Sequence, residues 1–541
     1  MRTECLPFSR IPHTTRLFND FLSYAPPVRH FYPRSPRFSE WFKNENPNAR
    51  YDHKRRERVS DILERQNRNW GASAKTLANI ARFRAGACAV VTGQQVGFLG
   101  GPLFSAFKAL TAIKLADEAT AGGVDCVPIF WLATEDHDLA EVSHTAMPNP
   151  DGMLETLVSS AHGLPDAPVG TVKFGQDVTA LIEAAATLLG PSELTDALHQ
   201  CYRPGETFGT AFAKLFTELF ADWGVILLDG LDPELDRIAE PIYRGAIELA
   251  VQIDDALLNR GRELEALGYH QQVKVTPSST LLFTFRDGAR TVIHRRINGD
   301  SQAEFVIEDE RVPQPEMLRR IAERPQDFSP NVLLRPVVQD YLLPTLAYTG
   351  GAAEVAYFAQ AAVVYQSLLG HVTPVLPRFS ATLVDAKAQR LLEKYRLHLT
   401  DLFQGPDSLR QELASRTLPA DLQAAFDKAN RSLEECLDAI RGSLERLDST
   451  LVEAANRAAS KMQYQLEHLR ASAARAELRQ SEVLERHATF LSNVLYPNKS
   501  LQEREIAGIY FLARHGLDLL KQLYGIVHTD CLDHQIVSLS A

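Results

Sequence analysis

An apolar segment, FWLATEDHDLAEV, ends in four consecutive ionisable residues that begin at Glu135, and this cluster is the strongest candidate for catalysis. A histidine flanked by carboxylates can be held in one tautomer as a general acid or base, and the same oxygens could bind a divalent ion. A structural alternative is that Asp138 caps the next helix and the other charges are solvated. The seven-residue spacing between His137 and His144 matches no common ligand pattern, which disfavours zinc. We predict four catalytic residues: Asp136, His137, Asp138 and Glu141.

A glycine-rich loop, VTGQQVGFLGGP, precedes an apolar helix that starts near Pro102. Glycines allow close backbone approach, and the free N–H groups of a helix start can bind an anion. The loop lacks both the GxxxxGK[ST] and the GxGxxG phosphate fingerprints, so a tight turn that needs glycines for its geometry is an equal alternative. We predict substrate contacts from Gln94 and Gln95. The predicted nucleotide- or anion-binding residues are Gly93, Gly97, Gly100, Gly101 and Lys108.

A third polar constellation interrupts the apolar stretch LLRPVVQDYLLPTLAYTGGAAEVAYF. Arg335 could pair with a substrate carboxylate, and Glu354, just after a Gly-Gly pair, could accept a hydrogen bond from an amine. An Arg–Asp pair beside a Gly-Gly turn also needs no ligand, so the signal is weak alone. We predict substrate binding by Arg335, Gln339, Asp340 and Glu354.

The elements that carry these three loops have the pattern of an α/β protein. ACAVVTG and VDCVPIFWLA are apolar runs without polar alternation, as expected for parallel strands covered on both faces, and a helix lies between them. We predict a βαβ unit of a doubly wound, Rossmann-like core, with GVILLDG as a further strand. Ligands bind beyond the carboxyl ends of such strands, so the three loops should face one crevice. Farther on, the Asp287–Gly288 turn predicts an antiparallel hairpin.

The C-terminal third has the periodicity of a coiled coil. Pro497 ends this helical region, and one long helix packed on its own core is the alternative to a coiled coil. Either the stretch Asp385–Phe403 or a second chain could supply the antiparallel partner. The seam has steps of four and three, with one extra step of four at Met462, and comprises Leu433, Leu437, Ile440, Leu444, Leu447, Leu451, Ala454, Ala458, Met462, Leu466 and Leu469.

Composition narrows the function classes. The 541 residues include 57 basic and 68 acidic side chains, a net charge of -11 that disfavours nucleic acid and anionic membranes as partners. We find neither a secretory signal pattern nor an apolar run long enough to predict a membrane span. Six scattered cysteines without a CxxC pair predict reduced thiols, no disulfide framework and no cysteine zinc site. These features favour a cytoplasmic protein.

Long motifs give the chain a resemblance to a known family. TGQQVGFLGGP, FWLATEDHDLAEV, SPNVLLRPVVQDYLLPTLAYTGGAAEVAYFAQ, PVLPRFSATLVD and YPNKSLQER occur in this order, and together they resemble the cysteine-adding enzymes of bacillithiol biosynthesis, also called cysteine ligases. The resemblance implies a Rossmann-like core over 1–380 with insertions at about 145–220 and 260–325. It further implies a coiled-coil domain over 381–490 that forms a homodimer, and a segment 491–541 that returns to the core.

The resemblance also implies a reaction, the joining of the cysteine carboxyl group to the amine of glucosaminyl-malate in the last step of bacillithiol synthesis. It implies association with ADP. Amide formation from a free carboxylate is uphill in water, so the acid must be activated as an acyl phosphate or an acyl adenylate, and we expect ATP or ADP as cofactor. The sequence has no HIGH or KMSKS signature that would indicate the adenylate route. A role for a divalent metal stays open.

Two other function classes fit parts of the sequence. A non-catalytic coiled-coil assembly protein would explain the helical region but has no use for three polar loops at strand ends. A metal-dependent hydrolase would use the EDHD cluster, and it predicts bound metal in the purified protein.

Overall fold

The computed structural model describes residues 1–161, 163–296, 303–416, 418, 420–448, 450–480, 482–527 and 531–539. The remaining positions, including 540 and 541, lie in the two predicted insertions, in the helical region and in the C-terminal segment. The predictions made for those positions lie outside the described residues. The strands are β1 (Arg2–Leu6), β2 (Cys88–Gln94), β3 (Cys126–Leu132), β4 (His144–Pro148), β5 (Leu154–Val158), β6 (Ile226–Asp229), β7 (Leu282–Arg286), β8 (Ala289–Arg296), β9 (Glu304–Ile307), β10 (Glu310–Pro313), β11 (Phe328–Pro330), β12 (Thr345–Gly350), β13 (Val375–Pro377), β14 (Ala381–Val384) and β15 (His534–Ser538).

Helices make up most of the remaining regular structure. They are α1 (Arg16–Leu22), α2 (His53–Asn69), α3 (Ala74–Ala85), α4 (Leu103–Ala121), α5 (Leu139–Val142), α6 (Val178–Leu189), α7 (Glu193–Cys201), α8 (Phe208–Leu219), α9 (Pro233–Glu248), α10 (Ala250–Ala266), α11 (Gln314–Glu323), α12 (Arg335–Leu342), α13 (Ala352–Leu369), α14 (Ala386–Tyr395), α15 (Pro406–Arg416), α16 (Ala420–Leu447), α17 (Leu451–Gln480), α18 (Glu482–Leu495), α19 (Gln502–Glu505), α20 (Gly508–His515) and α21 (Asp518–Tyr524). In the described parts of the chain, no helix is long and apolar enough to cross a membrane.

A five-stranded parallel sheet in the order β13-β12-β2-β3-β6 forms the centre of the protein. All seven residues of β3 are buried, as are the first six of β2, because helices cover both faces of the sheet. The predicted βαβ unit is confirmed as β2, α4 and β3, and the fold is the predicted Rossmann-like α/β class. The chain passes from β2 to β3 on one side, whereas β12 flanks β2 on the other. This reversal creates a topological switch point, where α/β proteins bind ligands.

Smaller sheets attach to this core. The predicted hairpin is confirmed as β7 and β8, and Asp287 and Gly288 both adopt positive φ, as a type I′ turn requires. It belongs to an antiparallel sheet in the order β10-β9-β8-β7-β11.

The two ends of the chain meet in a third sheet, in the order β1-β15-β14. The structure joins Cys5 to Cys531 as a disulfide, so the prediction of six reduced thiols is wrong for this pair. Their Cα atoms lie 6.1 Å apart because β1 pairs with β15, a contact between positions 526 residues apart that cysteine spacing could not reveal.

The helical region differs in detail from the predicted seam. One continuous seam was expected across Leu447 and Leu451, but α16 ends at the first of these residues and α17 begins at the second. The two helices form an antiparallel hairpin, in which Asn430 Nδ2 lies 3.4 Å from Glu467 Oε1. Residues Asp385–Phe403 were a possible partner for the seam, but Tyr395 in this stretch contacts His487 of α18 instead. The periodic spacing of apolar residues continues across the turn between the two helices. The spacing alone therefore could not show where α16 ends and α17 begins.

Candidate active site

The three predicted loops meet at a cavity of about 350 Å³ beyond the carboxyl ends of β2, β3 and β12. Its position at the switch point agrees with the expected crevice. The polar lining residues are Gln94, Gln95, Lys108, Glu135, Asp136, Glu141, Arg290, Asn331, Arg335, Glu354, Arg378 and Arg504, and the aromatic ones are Phe104, Trp131, Tyr348 and Tyr357.

Lys108 and Glu354 form a buried ion pair in this wall. Lys108 was predicted to bind an anion, but its ammonium lies 2.7 Å from Glu354 and also donates to Gly93 O and Gln94 Oε1. Burial lowers the pKa of Lys108 to about 8 despite the nearby carboxylate. Burial raises the pKa of Glu354, but Lys108 outweighs this effect and the net pKa is lowered. Both groups are therefore engaged within the protein.

Arg335 faces the cavity between aromatic rings, at the start of α12. Its guanidinium carbon lies 5.8 Å from the Trp131 ring centroid and 5.7 Å from that of Tyr348. It donates to Gln339 Oε1 at 3.1 Å and to the Tyr357 hydroxyl at 3.3 Å, both of them uncharged partners. A guanidinium with neutral partners keeps its charge available for a carboxylate or a phosphate.

Three further arginines line the cavity that the sequence patterns did not single out. Arg290 extends from β8, where it donates to Ser329 Oγ and Pro330 O. Arg378 follows β13 and is paired with the buried Glu503 at 2.6 Å. Arg504 comes from α19, near the end of the chain. Each reaches the cavity through tertiary packing, so no local spacing could have identified it.

Among the described carboxylates of the lining, Glu135 is the one whose burial is least offset by hydrogen bonds. It is 5% exposed, and neither carboxyl oxygen has a hydrogen-bond partner among the described residues. Burial raises its pKa to about 7, and Arg290 and Arg335 counteract this rise in part. The signal that could have found it was its place as the first charged residue after β3.

The glycine loop is divided between the cavity and a structural turn. Gly93 lines the cavity, but Gly97, Gly100 and Gly101 lie outside its lining, contrary to the prediction of an anion cradle. Gly100 and Gly101 adopt positive φ in a tight turn. The start of α4 is covered by the C-terminal segment, since Leu103 N donates to Ile506 O. These three residues fit the structural alternative, a tight turn that needs glycines for its geometry.

A different helix start faces the cavity. Gly351, Ala352 and Ala353 at the beginning of α13 line it, and the Nε atom of Arg378 lies beside Gly351. The amide of Gly351 is capped by Glu354 at 2.8 Å. This corner places the positive end of an 18-residue helix beside two guanidiniums, those of Arg378 and Arg504, and the carboxylates of Glu354 and Glu503 offset part of this positive charge.

The EDHD cluster is also divided. Asp136 and Glu141 line the cavity, and both accept hydrogen bonds from Gln95 Nε2 at 2.7 Å. Asp138 instead caps α5 by accepting from Glu141 N, which is the structural alternative. His137 lies outside the lining, with its Nδ1 3.4 Å from Arg290. The backbone turns after β3, so consecutive side chains point in different directions.

Gln339 and Asp340 do not reach the cavity either. Both are buried on α12, where Gln339 donates to Asp340 at 2.9 Å and Tyr365 donates to the other carboxylate oxygen. They help to position Arg335, because Gln339 accepts a hydrogen bond from its guanidinium. The predicted substrate contacts from these two residues are therefore corrected to a packing role.

The described ranges contain no group of three or more His, Cys, Asp and Glu side chains placed to hold a metal ion. The carboxylates expected to act together in a hydrolase are separated, because Asp138 serves as a helix cap.

A Rossmann-like core with a charged cavity at its switch point and an antiparallel helical hairpin defines the class of this protein. Two family models match the chain: the N-terminal Rossmann-like domain of bacillithiol biosynthesis BshC over residues 1–379, and the C-terminal coiled-coil domain of the same family over 381–539. The chain belongs to the bacillithiol biosynthesis BshC family.

Relatives over the full length agree with this assignment. A protein of Koribacter versatilis is 47% identical over 537 residues, covering 99% of this chain and 100% of its own. One of Solibacter usitatus is 36% identical with the same coverage, and one of Salinibacter ruber is 33% identical over 89% of this chain and 88% of its own. All three carry the name "Putative cysteine ligase BshC", so the family is one of ligases.

Proposed function

We propose that the protein joins the carboxyl group of cysteine to the amine of glucosaminyl-malate, forming an amide bond in the last step of bacillithiol biosynthesis. The observation that carries this proposal is the mixed charge of the cavity, where four arginines and several carboxylates surround one space. Glucosaminyl-malate presents two carboxylates and one amine, and cysteine presents one carboxylate and one amine. A lining of both signs suits two such substrates better than it suits a purely anionic or cationic ligand.

Arg335 is the proposed site for the malate carboxylates. Its partners in the protein are uncharged, and its side chain is fixed between Trp131 and Tyr348. A fixed guanidinium can bind a carboxylate in a bidentate manner without losing much conformational freedom. Arg290 also lines the cavity and is the proposed partner of the second carboxylate.

The corner formed by Arg378, Arg504 and the start of α13 is the proposed second anion site. It fits either the cysteine carboxylate or the phosphates of a nucleotide, because both are oxyanions that accept from guanidinium and backbone N–H groups. We retain ATP or ADP as the activating nucleotide within this proposal. Its chemistry is to convert the cysteine carboxylate into an acyl phosphate or an acyl adenylate, which the amine can then attack.

We also propose that two chains dimerise through the helical hairpin of α16 and α17. The hairpin has a small core of its own, formed with α15 by Ala414, Leu418, Phe426 and Ala474. Several large apolar side chains on it remain open to solvent, among them Ile440, Leu447, Met462, Tyr464 and Leu469. A second hairpin would cover such a surface.

Incubation of the purified protein with cysteine, glucosaminyl-malate and ATP tests the reaction. We expect mass spectrometry to detect bacillithiol only when all three are present. ADP as the by-product would indicate an acyl phosphate, and AMP an adenylate. Parallel reactions with Mg²⁺ and with a chelator test the metal requirement. Failure to form the amide under every condition would refute the proposed reaction.

A further inference from the structure

Glu135 is a buried acid in the lining of the cavity, shortly after β3. It is 95% removed from solvent, and both of its carboxyl oxygens lack a hydrogen-bond partner among the described residues. Burying an unpaired carboxylate is costly, so such a group in a native protein requires an explanation, and a catalytic role or a bound water or ion are among those known. Trp131 also lines the cavity, and its indole N–H likewise has no hydrogen-bond partner in the part of the chain that the structure describes.

The other acids of the lining are already engaged. Glu354 accepts from Lys108, Tyr348 and Gly351. Asp136 and Glu141 share the amide of Gln95, and Asp136 also accepts from the backbone. Among the lining carboxylates that the structure describes, Glu135 is the one that accepts no hydrogen bond at either oxygen.

The surroundings of Glu135 hold it in place without neutralising it. A Cβ atom on Gly230 would overlap the carboxylate, so the glycine after β6 makes room for it. Arg290 and Arg335 are near enough to lower its pKa, whereas Asp229 and Asp136 raise it. Both guanidiniums hydrogen-bond to other groups. The site therefore offers an unpaired acceptor near two arginines of the lining.

We propose that Glu135 binds the amino group of glucosaminyl-malate and accepts its proton as the amide bond forms. This inference rests on the proposed function. The nitrogen lone pair attacks the activated carboxyl carbon, which forms the C–N bond. The C–O bond to the phosphate or adenylate breaks, and that leaving group departs with the electron pair. The proton released from nitrogen passes to Glu135, and solvent removes it before the next cycle.

The location and the acidity of Glu135 both suit this step. Arg335 and Glu135 line the same cavity and are close enough for their charges to interact, so one substrate can present a carboxylate to Arg335 and its amine to Glu135. A general base works best when its pKa is close to the working pH, and burial brings the pKa of Glu135 to about 7. The proton-transfer role that the sequence suggested for His137 belongs to Glu135 in this arrangement.

The test compares Glu135→Gln, which preserves shape but removes the base, with Glu135→Asp and the wild type. We expect kcat for amide formation to fall about 10²- to 10⁴-fold in Glu135→Gln. The acidic limb of the wild-type pH–rate profile, near pH 7, should disappear, and Glu135→Asp should restore part of the rate. Glu118→Gln, a half-buried glutamate on α4 outside the lining, is the matched control. Activity of Glu135→Gln within threefold of wild type, or an unchanged acidic limb, would overturn the proposal.

Calorimetry separates this inference from the proposed reaction. Wild-type protein should bind glucosaminyl-malate more tightly than its N-acetylated form, and Glu135→Gln should lose that preference while binding the N-acetylated form equally well. If the wild type forms no amide but Glu135→Gln still loses the preference, the reaction is wrong and the amine site stands. An equal preference in wild type and variant refutes the amine site, whatever the catalytic assay shows.

Discussion

Lys108 on α4 and Glu354 on α13 form an ion pair of 2.7 Å across the switch point of the central sheet. The two helices follow β2 and β12, so the pair fixes the relative position of the two loops that line the cavity. Tyr348 and Gly351 satisfy the remaining acceptor capacity of Glu354. The pair therefore forms part of the wall of the cavity.

Breaking this pair should destabilise the protein strongly. In Lys108→Met the Glu354 carboxylate stays in place without its cation, and loss of one partner of a buried pair typically costs about 3–5 kcal/mol. Urea denaturation would measure the change in the free energy of unfolding. Lys114→Met, a partly exposed position on the same helix, should change it by less than about 1 kcal/mol. Equal effects of the two substitutions would contradict the structural role of the pair.

Glu135→Gln should stabilise the ligand-free protein above neutral pH. Burial raises the folded-state pKa of Glu135 from 4.5 to about 7, so its favourable contribution is complete below pH 4.5 and is lost as the pH rises through 7. A neutral glutamine avoids this loss. The stability advantage of the variant should grow by at most about 3 kcal/mol between pH 4.5 and pH 8. Denaturation at both pH values measures it, and the exposed Glu4→Gln serves as the control.

Arg335→Ala should weaken binding of glucosaminyl-malate about 10- to 100-fold, the usual contribution of a charge-assisted hydrogen bond. Nucleotide binding should remain intact, since the second anion site lies at Arg378 and Arg504. Arg335→Lys should recover only part of the affinity because it lacks the planar fork. Calorimetry measures all three, with the exposed Arg237→Ala as the control. Loss of nucleotide binding in Arg335→Ala would contradict two separate anion sites.

Substitution of Gly100 tests whether the glycine loop is a structural turn or an anion-binding site. Gly100 has a φ of 82° and packs against Leu215, so Gly100→Ala should cost about 1–3 kcal/mol of stability. Affinity for the substrates should stay within twofold, because Gly100 lies outside the lining. Gly123→Ala has a similar φ in open surroundings and isolates the backbone cost from the packing cost. A large loss of affinity with unchanged stability would restore the cradle interpretation.

The strands and turns of the core could be predicted because each is determined by residues that are close together in the sequence. Strands such as β3 are apolar throughout, and the Asp287–Gly288 turn determines its own conformation. These features require no knowledge of distant contacts. The three polar loops could be assigned to one crevice because parallel strands share a carboxyl edge.

The details of the site depend on distant contacts and could not be predicted in the same way. The start of α4 looked available to a ligand, but Ile506, about 400 positions away, occupies it. Arg290 and Arg504 enter the cavity from a separate sheet and from the C-terminal segment. Within the charged cluster after β3, the backbone path decides that Glu135 faces inward and Asp138 caps a helix. No spacing rule encodes that path.

The apolar surface of the helical hairpin leads to a prediction about oligomeric state. Ile440 on α16 and Met462 on α17 are each 50% exposed, although the heptad pattern includes both positions. Large side chains left open on a hairpin with a small core favour a second copy as the covering surface. Wild-type protein should therefore sediment as a dimer at micromolar concentration. Ile440→Glu combined with Met462→Glu should weaken the dimer at least about 100-fold, because four apolar contacts per dimer are replaced by charges.

Lys461→Glu adds charge beside the same surface at an exposed polar position and should leave the dimer intact. Circular dichroism should show the same helix content in all variants, which would exclude unfolding of the hairpin as the cause. The sedimentation coefficient over a range of concentrations gives the dissociation constant. A wild-type protein that stays monomeric, or a double variant with an unchanged dissociation constant, would show that these side chains do not form the dimer interface.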